Sequence, residues 1–460
     1  MKKDSMTFST INPATEQPIS EYHIMPESEA LSIAKSTALA FQQWKELPLQ
    51  KRLQFVKKLA LVLRKNKQKY AELMTKEMGK VITQSLAEVE KCASLCDTLV
   101  EKAEVWLKEE EITADGKQHL ITFEPLGTIL IIMPWNYPFW QVIKVGLPPL
   151  VAGNAILLKH ARNVTGSSLA IEQAFLEAGF PKDIFRSLII DHDTTSALIA
   201  SDVVQAVSLT GSVGAGSKIA AEAGKHIKKT VLELGGSDPF IVLDDADVEK
   251  AALGATHGRI SNTGQMCIGA KRFIVHKKVA DRFSQLFAKN MAKLKMGDPL
   301  KPETEIGPLV NKQAVMDMEY FVQDAIQKGA TIAAGGKRRE PGCYFEPTVI
   351  TNTKPTMKVI TEETFGPLAP VIIVNSDDEA IDIANISEFG LNASIWTNDV
   401  KRGEKIARKI NVGGVFVNST SKSHPLLPLG GIKKSGYGRE LSHYGIKEFV
   451  NIKPINIYNP

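Results

Sequence analysis

The chain has 460 residues, 43% of them hydrophobic, with Lys+Arg 56 against Asp+Glu 51. That length supports two or three domains with large cores, and a net charge of +5 spread along the chain argues against the basic block of a nucleic-acid binder. No apolar leader follows the opening MKKDSMTFST, apolar runs break at Gly, Pro or Lys before membrane-spanning length, and four cysteines (Cys92, Cys96, Cys267, Cys343) lack the spacing of a disulfide framework or a zinc site. The expectation is an unexported protein of a reducing cytoplasm that binds no metal, nucleic acid or membrane.

The first hundred residues read as helices. Leu31, Ala34, Ala38 and Phe41, then Leu53, Val56, Ala60 and Leu63, follow the i, i+3, i+7 stripe of amphipathic helices. A third stripe, Val89, Cys92, Cys96 and Leu99, makes both early cysteines core residues rather than redox or metal groups. From GTILIIM (Gly127 to Met133), β-rich runs alternate with helical ones: NAILLK, SLAIEQAFLEAGF, FRSLII, TTSALIA, VQAVSLTG. That alternation predicts a parallel sheet covered on both faces, with ligands bound at the carboxyl ends of its strands. PWN, KHAR, TGSVGAG and ELGG all fall at such ends. A second α/β series begins after Gly236 with FIVLDDAD and runs through KRFIVH, TVI, VIIVN and GGVFVN, which puts a domain boundary at Gly235 and Gly236. The tail KEFVNIKPINIY alternates without a sequence-adjacent partner and would leave an open edge unless it pairs elsewhere, as in an oligomer.

Four stretches carry chemistry. Cys267 ends NTGQMC, whose Gly264 and polar Asn262, Thr263 and Gln265 suggest a loop. A lone cysteine is most often inert, and a nucleophilic one also needs a base and an oxyanion donor. Glu233, at the end of VLELGGSDPF, is a candidate base: burial beside the bare backbone of Gly235 and Gly236 would raise its pKa toward the useful range, although a salt-bridged acid is the commoner finding. TGSVGAG, bracketed by Gly211 and Gly216, could receive phosphate at a helix amino terminus, and an ordinary tight turn explains it equally well. In MPWNYPF two prolines make a rigid turn from which Asn136 could offer an amide N–H to an oxyanion.

Taken in series, PWNYP, LLKHA, TGS, LELGGSDP, NTGQMC, EETFGP, LNASIWT, GGVFVN and GGIKKSGYGRE resemble the aldehyde dehydrogenase superfamily over essentially the whole chain, closest to bacterial NAD(P)-dependent succinate-semialdehyde dehydrogenases. The resemblance implies an α/β fold with a Rossmann-type cofactor domain (1–106 and 127–235), an α/β catalytic domain (236–435) and a small β oligomerisation element (107–126 and 436–460). It implies that Cys267 attacks the aldehyde, that the Asn136 amide and the Cys267 N–H hold the oxyanion, and that Glu233 activates the water that hydrolyses the thioester, with Glu440 as an auxiliary acid. NAD(P) contacts would come from Pro134, Trp135, Lys159, Arg162, Gly211, Ser212, Gly216, Leu234, Glu363 and Phe365, with Lys159 and Glu363 on ribose hydroxyls. A homodimer or homotetramer is implied.

The departures are informative. Arg162 stands where many NAD-using relatives carry the acid that binds the adenosine ribose, so NADP is expected to be accepted and preferred. Ser261 stands where some relatives place a substrate-binding arginine. Lys144, Arg259 and Gln265 are then the candidates for the substrate, with Lys144 and Arg259 gripping the carboxylate of an acid semialdehyde. Glutarate semialdehyde or broad aliphatic aldehydes are the alternative substrates. A coenzyme-A-acylating relative would lack the acid at Glu233, and a catalytically silent one would not keep Cys267, Glu233 and Asn136 together.

Overall fold

The computed structural model describes residues 7–458; Lys2 and Lys3 of the opening stretch, and positions 459 and 460, lie outside them. The three helical stripes fall in Glu27–Lys45, Leu49–Lys65 and Ile82–Trp106, and a further helix, Lys67–Met78, sits between the last two. Their buried faces, including Phe41, Val56, Leu63, Cys92 and Cys96, close over the helix Pro138–Val151, all of whose residues are buried. Burying that helix on every side explains why it shows no polar face.

Two sheets carry the alternating segments. The first runs in the order Gly436–Tyr437, Lys229–Glu233, Val204–Thr210, Thr128–Met133, Ala155–His160, Phe185–Ser187. Its strands are parallel except Gly436–Tyr437, which runs antiparallel to Lys229–Glu233. The second runs Thr331–Ala334, Thr348–Thr351, Leu368–Val374, Ala270–His276, Asp238–Val242, Asn392–Trp396, Gly414–Val417, parallel apart from the outer Thr331–Ala334. The chain passes from one sheet to the other between Glu233 and Asp238, across Gly235 and Gly236. At that turn a Cβ on Gly235 would lie 2.1 Å from Glu363 Oε2, and one on Gly236 would lie 2.9 Å from the Cys267 carbonyl. Only glycine lets the two sheets come this close.

Two features differ from the sequence reading. Thr7–Ile11 and Pro18–His23 form an antiparallel hairpin ahead of the first helix. Its residues are largely exposed, so no buried alternation marked it as sheet. Gly436–Tyr437 belongs to the first sheet and the short helix Ser442–Ile446 packs beside Pro138–Val151, so the tail strand proper is Val450–Ile455. That strand pairs antiparallel with Lys117–Pro125, which also pairs with Glu110–Ala114, in a separate three-stranded sheet.

Candidate active site

Cys267 lies in the loop between the helix Val248–Ile260 and the strand Ala270–His276. Three residues before it, Asn262, Thr263 and Gly264, have φ of 52°, 53° and 78°. A β-branched threonine in the left-handed region is strained, and such strain persists only where the surroundings impose it. Here they do. The Asn262 amide donates to the carbonyls of Asn136 (2.9 Å) and Gln265 (3.1 Å), while its backbone N–H donates to Gln84 Oε1. A Cβ on Gly264 would stand 2.4 Å from the Gly366 carbonyl.

Two expected substrate residues are part of this scaffold. Arg259 is fully buried, and its guanidinium donates to the carbonyls of Ala270 (2.8 Å), Thr364 (3.0 Å), Gly264 (3.2 Å) and Gly366. Gln265, also fully buried, donates to the Asn262 carbonyl and accepts the Val310 N–H. Both side chains are committed to the loop, whose otherwise bare carbonyls they satisfy, although Arg259 Nε has no partner among the described residues.

The Asn136 amide donates to the Gln265 carbonyl at 3.1 Å, which ties the turn after Met133 to the cysteine loop and leaves its second N–H available. Lys271, buried at the start of the next strand, donates to the carbonyls of Cys267 and Gly236 (2.7 Å each) and to Glu363 Oε1 (2.8 Å). Burial pushes the Cys267 thiol up to about 11, against the pull of Lys144 and Lys271. The resting nucleophile is therefore a thiol that needs a base.

Glu233 ends its strand 4% exposed, with Oε1 unpartnered among the described residues. Burial, and then the charge of Glu440, hold its carboxyl well above the ordinary range, opposed by Lys144 and Arg439. Lys144 is not a free cation: it forms a buried ion pair with Glu440. Burial disfavours its charge, but Glu440 and Glu233 outweigh that and raise its pKa. Sequence reasoning gave Lys144 to the substrate; the structure puts its ammonium on Glu440, in a buried triad of two acids and one base.

A cavity of about 340 Å³ opens onto Cys267, lined also by Lys91, Tyr137, Trp140, Lys144, His257, Ser261, Lys422 and Ser423. Glu88 is its only lining carboxylate, and that carboxylate pairs with buried Lys80 and accepts the N–H groups of Phe139 and Trp140 (2.9 Å each). A larger groove of about 860 Å³ lies elsewhere, between Asn12–Thr15 and Gly335–Pro347, and contains none of these groups.

The expected cofactor residues stand at or just after the carboxyl ends of the first sheet's strands. Lys159, near the end of its strand, has no hydrogen-bond or ion-pair partner among the described residues; burial and then the nearby positive charge of Arg162 lower its pKa. Arg162 is exposed on the 3₁₀ turn that follows, against the Phe8 ring. Ser212 caps the helix Val213–Lys225, and a Cβ on Gly214 would meet nothing within 4 Å. Two cations without an acid partner among the described residues, and an open helix amino terminus after another strand of the same sheet, suit an anionic dinucleotide. Pro134 and Trp135 follow Met133, and Trp135 meets Phe365 edge to face at 5.7 Å. Gly211 uses its N–H on the Glu233 carbonyl.

Two expected cofactor residues also have structural neighbours. Gly216 is inside the helix, where a Cβ would lie 2.5 Å from a Leu234 methyl, and its N–H is bonded to the Ser212 carbonyl; close helix-to-strand packing by itself accounts for that glycine. Glu363 accepts the Gly236 N–H (3.0 Å) and Lys271, so its carboxylate braces the Gly235–Gly236 turn. Sequence reading missed Lys271, the Lys80–Glu88 pair and Lys91, because an isolated lysine or acid carries no pattern in the sequence; only burial and its partners mark them.

A sequence model of the aldehyde dehydrogenase family matches residues 1–455. The chain belongs to that family and is an aldehyde-oxidising enzyme. It is 42% identical over 450 residues to the Escherichia coli strain K12 protein Sad, named succinate semialdehyde dehydrogenase for NAD(P)+, covering 97% of each. It is 41% identical over 454 residues to the Mycobacterium tuberculosis H37Rv succinate-semialdehyde dehydrogenase 1 for NADP(+), covering 98% of this chain and 99% of that one. Among solved structures, succinic semialdehyde dehydrogenase from Streptococcus pyogenes, in complex with NADP+, superposes with a TM-score of 0.96 at 38% identity over 98% of this chain and 100% of that one.

Proposed function

We propose that the chain oxidises succinate semialdehyde to succinate, with NADP+ preferred over NAD+. The observation that carries this reading is the charge of the cavity over Cys267. Of its ionisable lining residues, Glu88 is neutralised by Lys80 and Lys144 by Glu440, which leaves the cations Lys91 and Lys422 uncompensated. A short aldehyde with a distal carboxylate suits such a cavity, whose volume is at the small end of ligand sites, roughly 300–1,000 Å³. The names of the relatives point the same way. Lys159 and Arg162, cations without an acid between them, support the preference for a 2′-phosphate.

The residues divide the chemistry. Glu233 takes the Cys267 proton as Sγ bonds to the carbonyl carbon, and the second Asn136 N–H with the Cys267 N–H receives the oxyanion. A bound nicotinamide would supply the hydride acceptor. Cys267 then holds the acyl group as a thioester. Glu233, its proton passed on towards the Lys144–Glu440 pair, takes a proton from water as the water oxygen bonds to the acyl carbon and the C–S bond breaks. Lys271 and Arg259 keep the cysteine loop in place, so the thiol meets the aldehyde in one geometry.

The test follows reduced nicotinamide by absorbance, with NADP+ and NAD+, for succinate semialdehyde against butanal. The expected result is a higher kcat/KM for the acid semialdehyde and for NADP+; preference for butanal would discard the substrate, and preference for NAD+ the cofactor. With Glu233→Gln, which removes the base from both steps, the burst of reduced cofactor should slow and steady-state turnover should fall by about 10²–10⁴-fold.

The assembly is inferred to be a homo-oligomer built on the three-stranded sheet. Ile112, Ile452, Ile455, Ile457 and Tyr458 stand exposed on or beside it, and its outer strands have open edges. Residence in a reducing cytoplasm suits an enzyme whose nucleophile must stay a free thiol. Among the described residues, no helix is long and apolar enough to cross a membrane.

A further inference from the structure

The cavity over Cys267 holds one cation whose setting is unlike that of any other lysine lining it. Lys91 projects from the helix Ile82–Trp106, and its Nζ donates to Ser423 Oγ at 2.6 Å and lies 4.2 Å from the centre of the Trp140 ring. The acid on its own helix whose charge acts on it is Glu88, one turn earlier, and Glu88 is held by Lys80 and by the first N–H groups of the helix Pro138–Val151, while Glu90 is paired with Arg64 and Lys67. Lys144, from that second helix, faces it with a like charge and is itself paired with Glu440. Lys422, on the loop that carries Ser423, is exposed. Lys91 is thus a half-buried ammonium that faces an aromatic surface and a hydroxyl, and it forms no ion pair among the described residues. A desolvated cation lacking its counter-ion is an unfinished interaction that an anionic ligand completes.

We infer that Lys91, with the Ser423 hydroxyl beside it, binds the distal carboxylate of the aldehyde substrate and so sets the preference for an acid semialdehyde. The inference rests on the proposed substrate and gives its recognition to a residue other than Lys144. The aldehyde end would point to Cys267 at the other wall of the same cavity, and Trp140 would cover the methylenes between them.

The charge of Lys91 is sensitive to pH. Burial lowers its pKa to about 8, helped by the positive charges of Lys144 and Lys80 and opposed by Glu88 and Cys92; His257 and Lys422 also line the cavity. Below about 8 the ammonium is present and receives the carboxylate. Above it the empty site must first take up a proton, so KM for an acid semialdehyde rises. A neutral aldehyde does not feel that loss, while both substrates share the gain in rate at high pH from deprotonation of Cys267 and Glu233.

The experiment compares kcat/KM for succinate semialdehyde and for butanal, in the wild-type enzyme and in Lys91→Gln, Lys91→Arg and Ser423→Ala. Lys91→Gln should lower the acid-to-neutral ratio roughly 10- to 100-fold through KM, whatever it does to butanal turnover, as expected for loss of a charged hydrogen bond. Lys91→Arg should restore most of the ratio, and Ser423→Ala should lower it less. In the wild type the ratio should fall as pH rises from 7 to 9.5. A wild-type enzyme that prefers the acid semialdehyde while Lys91→Gln leaves the ratio within about twofold overturns Lys91 alone. A wild-type enzyme with no such preference overturns the substrate reading and Lys91 together. Should Lys91→Gln not fold, a wild-type ratio that is flat with pH overturns the inference by itself.

Discussion

At the scale of single residues, the site is organised by charges that sequence patterns do not reveal. Glu233 and Cys267 are both shifted upward by burial, and each needs the other's neighbourhood to act. The Lys80–Glu88 pair shows how such charges hold geometry. Glu88 accepts the N–H groups of Phe139 and Trp140, two of the amino-terminal donors that a helix cannot satisfy internally, and Lys80 lies 3.6 Å from the centre of the Tyr137 ring. Together they anchor the turn that carries Asn136. Glu88→Ala leaves a buried ammonium and two N–H groups without partners, so a loss of about 3–5 kcal/mol is expected; urea unfolding followed by circular dichroism would check it, and an unchanged midpoint would show that the pair anchors nothing.

At the scale of elements, close approach decides where glycine stands. Gly216 lies in the first turn of the helix Val213–Lys225 only because the helix presses on Leu234, the residue after Glu233. A methyl there must displace Leu234 or lift the helix, and overpacking of this kind typically costs about 1–3 kcal/mol. Gly216→Ala should therefore lower the urea midpoint and raise KM for NADP+, whereas Gly214→Ala, which meets open space, should move the midpoint little. If Gly216→Ala raised KM with no loss of stability, direct contact with the cofactor would be the better account.

At the scale of the whole molecule, the two sheets are joined at a glycine pair, and the cysteine of one faces the acid of the other across it. Glu110–Ala114, Lys117–Pro125 and Val450–Ile455 make a three-stranded sheet separate from both. Ile452 on its outer strand is 58% exposed. Placing a charge there, as Ile452→Glu, should shift the enzyme towards monomers in sedimentation velocity and leave the helix content unchanged; retention of the wild-type species would mean that this sheet is not the contact.

The amino-acid sequence by itself determined the α/β architecture, because helix stripes and β-rich runs are local periodic patterns. It also indicated Cys267, Glu233 and Asn136, because each ends a strand or loop whose glycines and prolines make it unusual. The hairpin at Thr7–His23 escaped because its strands bury almost nothing, and the strand Gly436–Tyr437 because two residues hold no period. Tertiary structure alone decided the partners of buried charges. Lys144 on Glu440, Arg259 on four carbonyls, Glu363 on the glycine turn and Lys91 on a ring and a hydroxyl are alike as sequence. What separates them is which acid or carbonyl the fold brings within reach, and contacts between residues far apart in the chain leave no local signal.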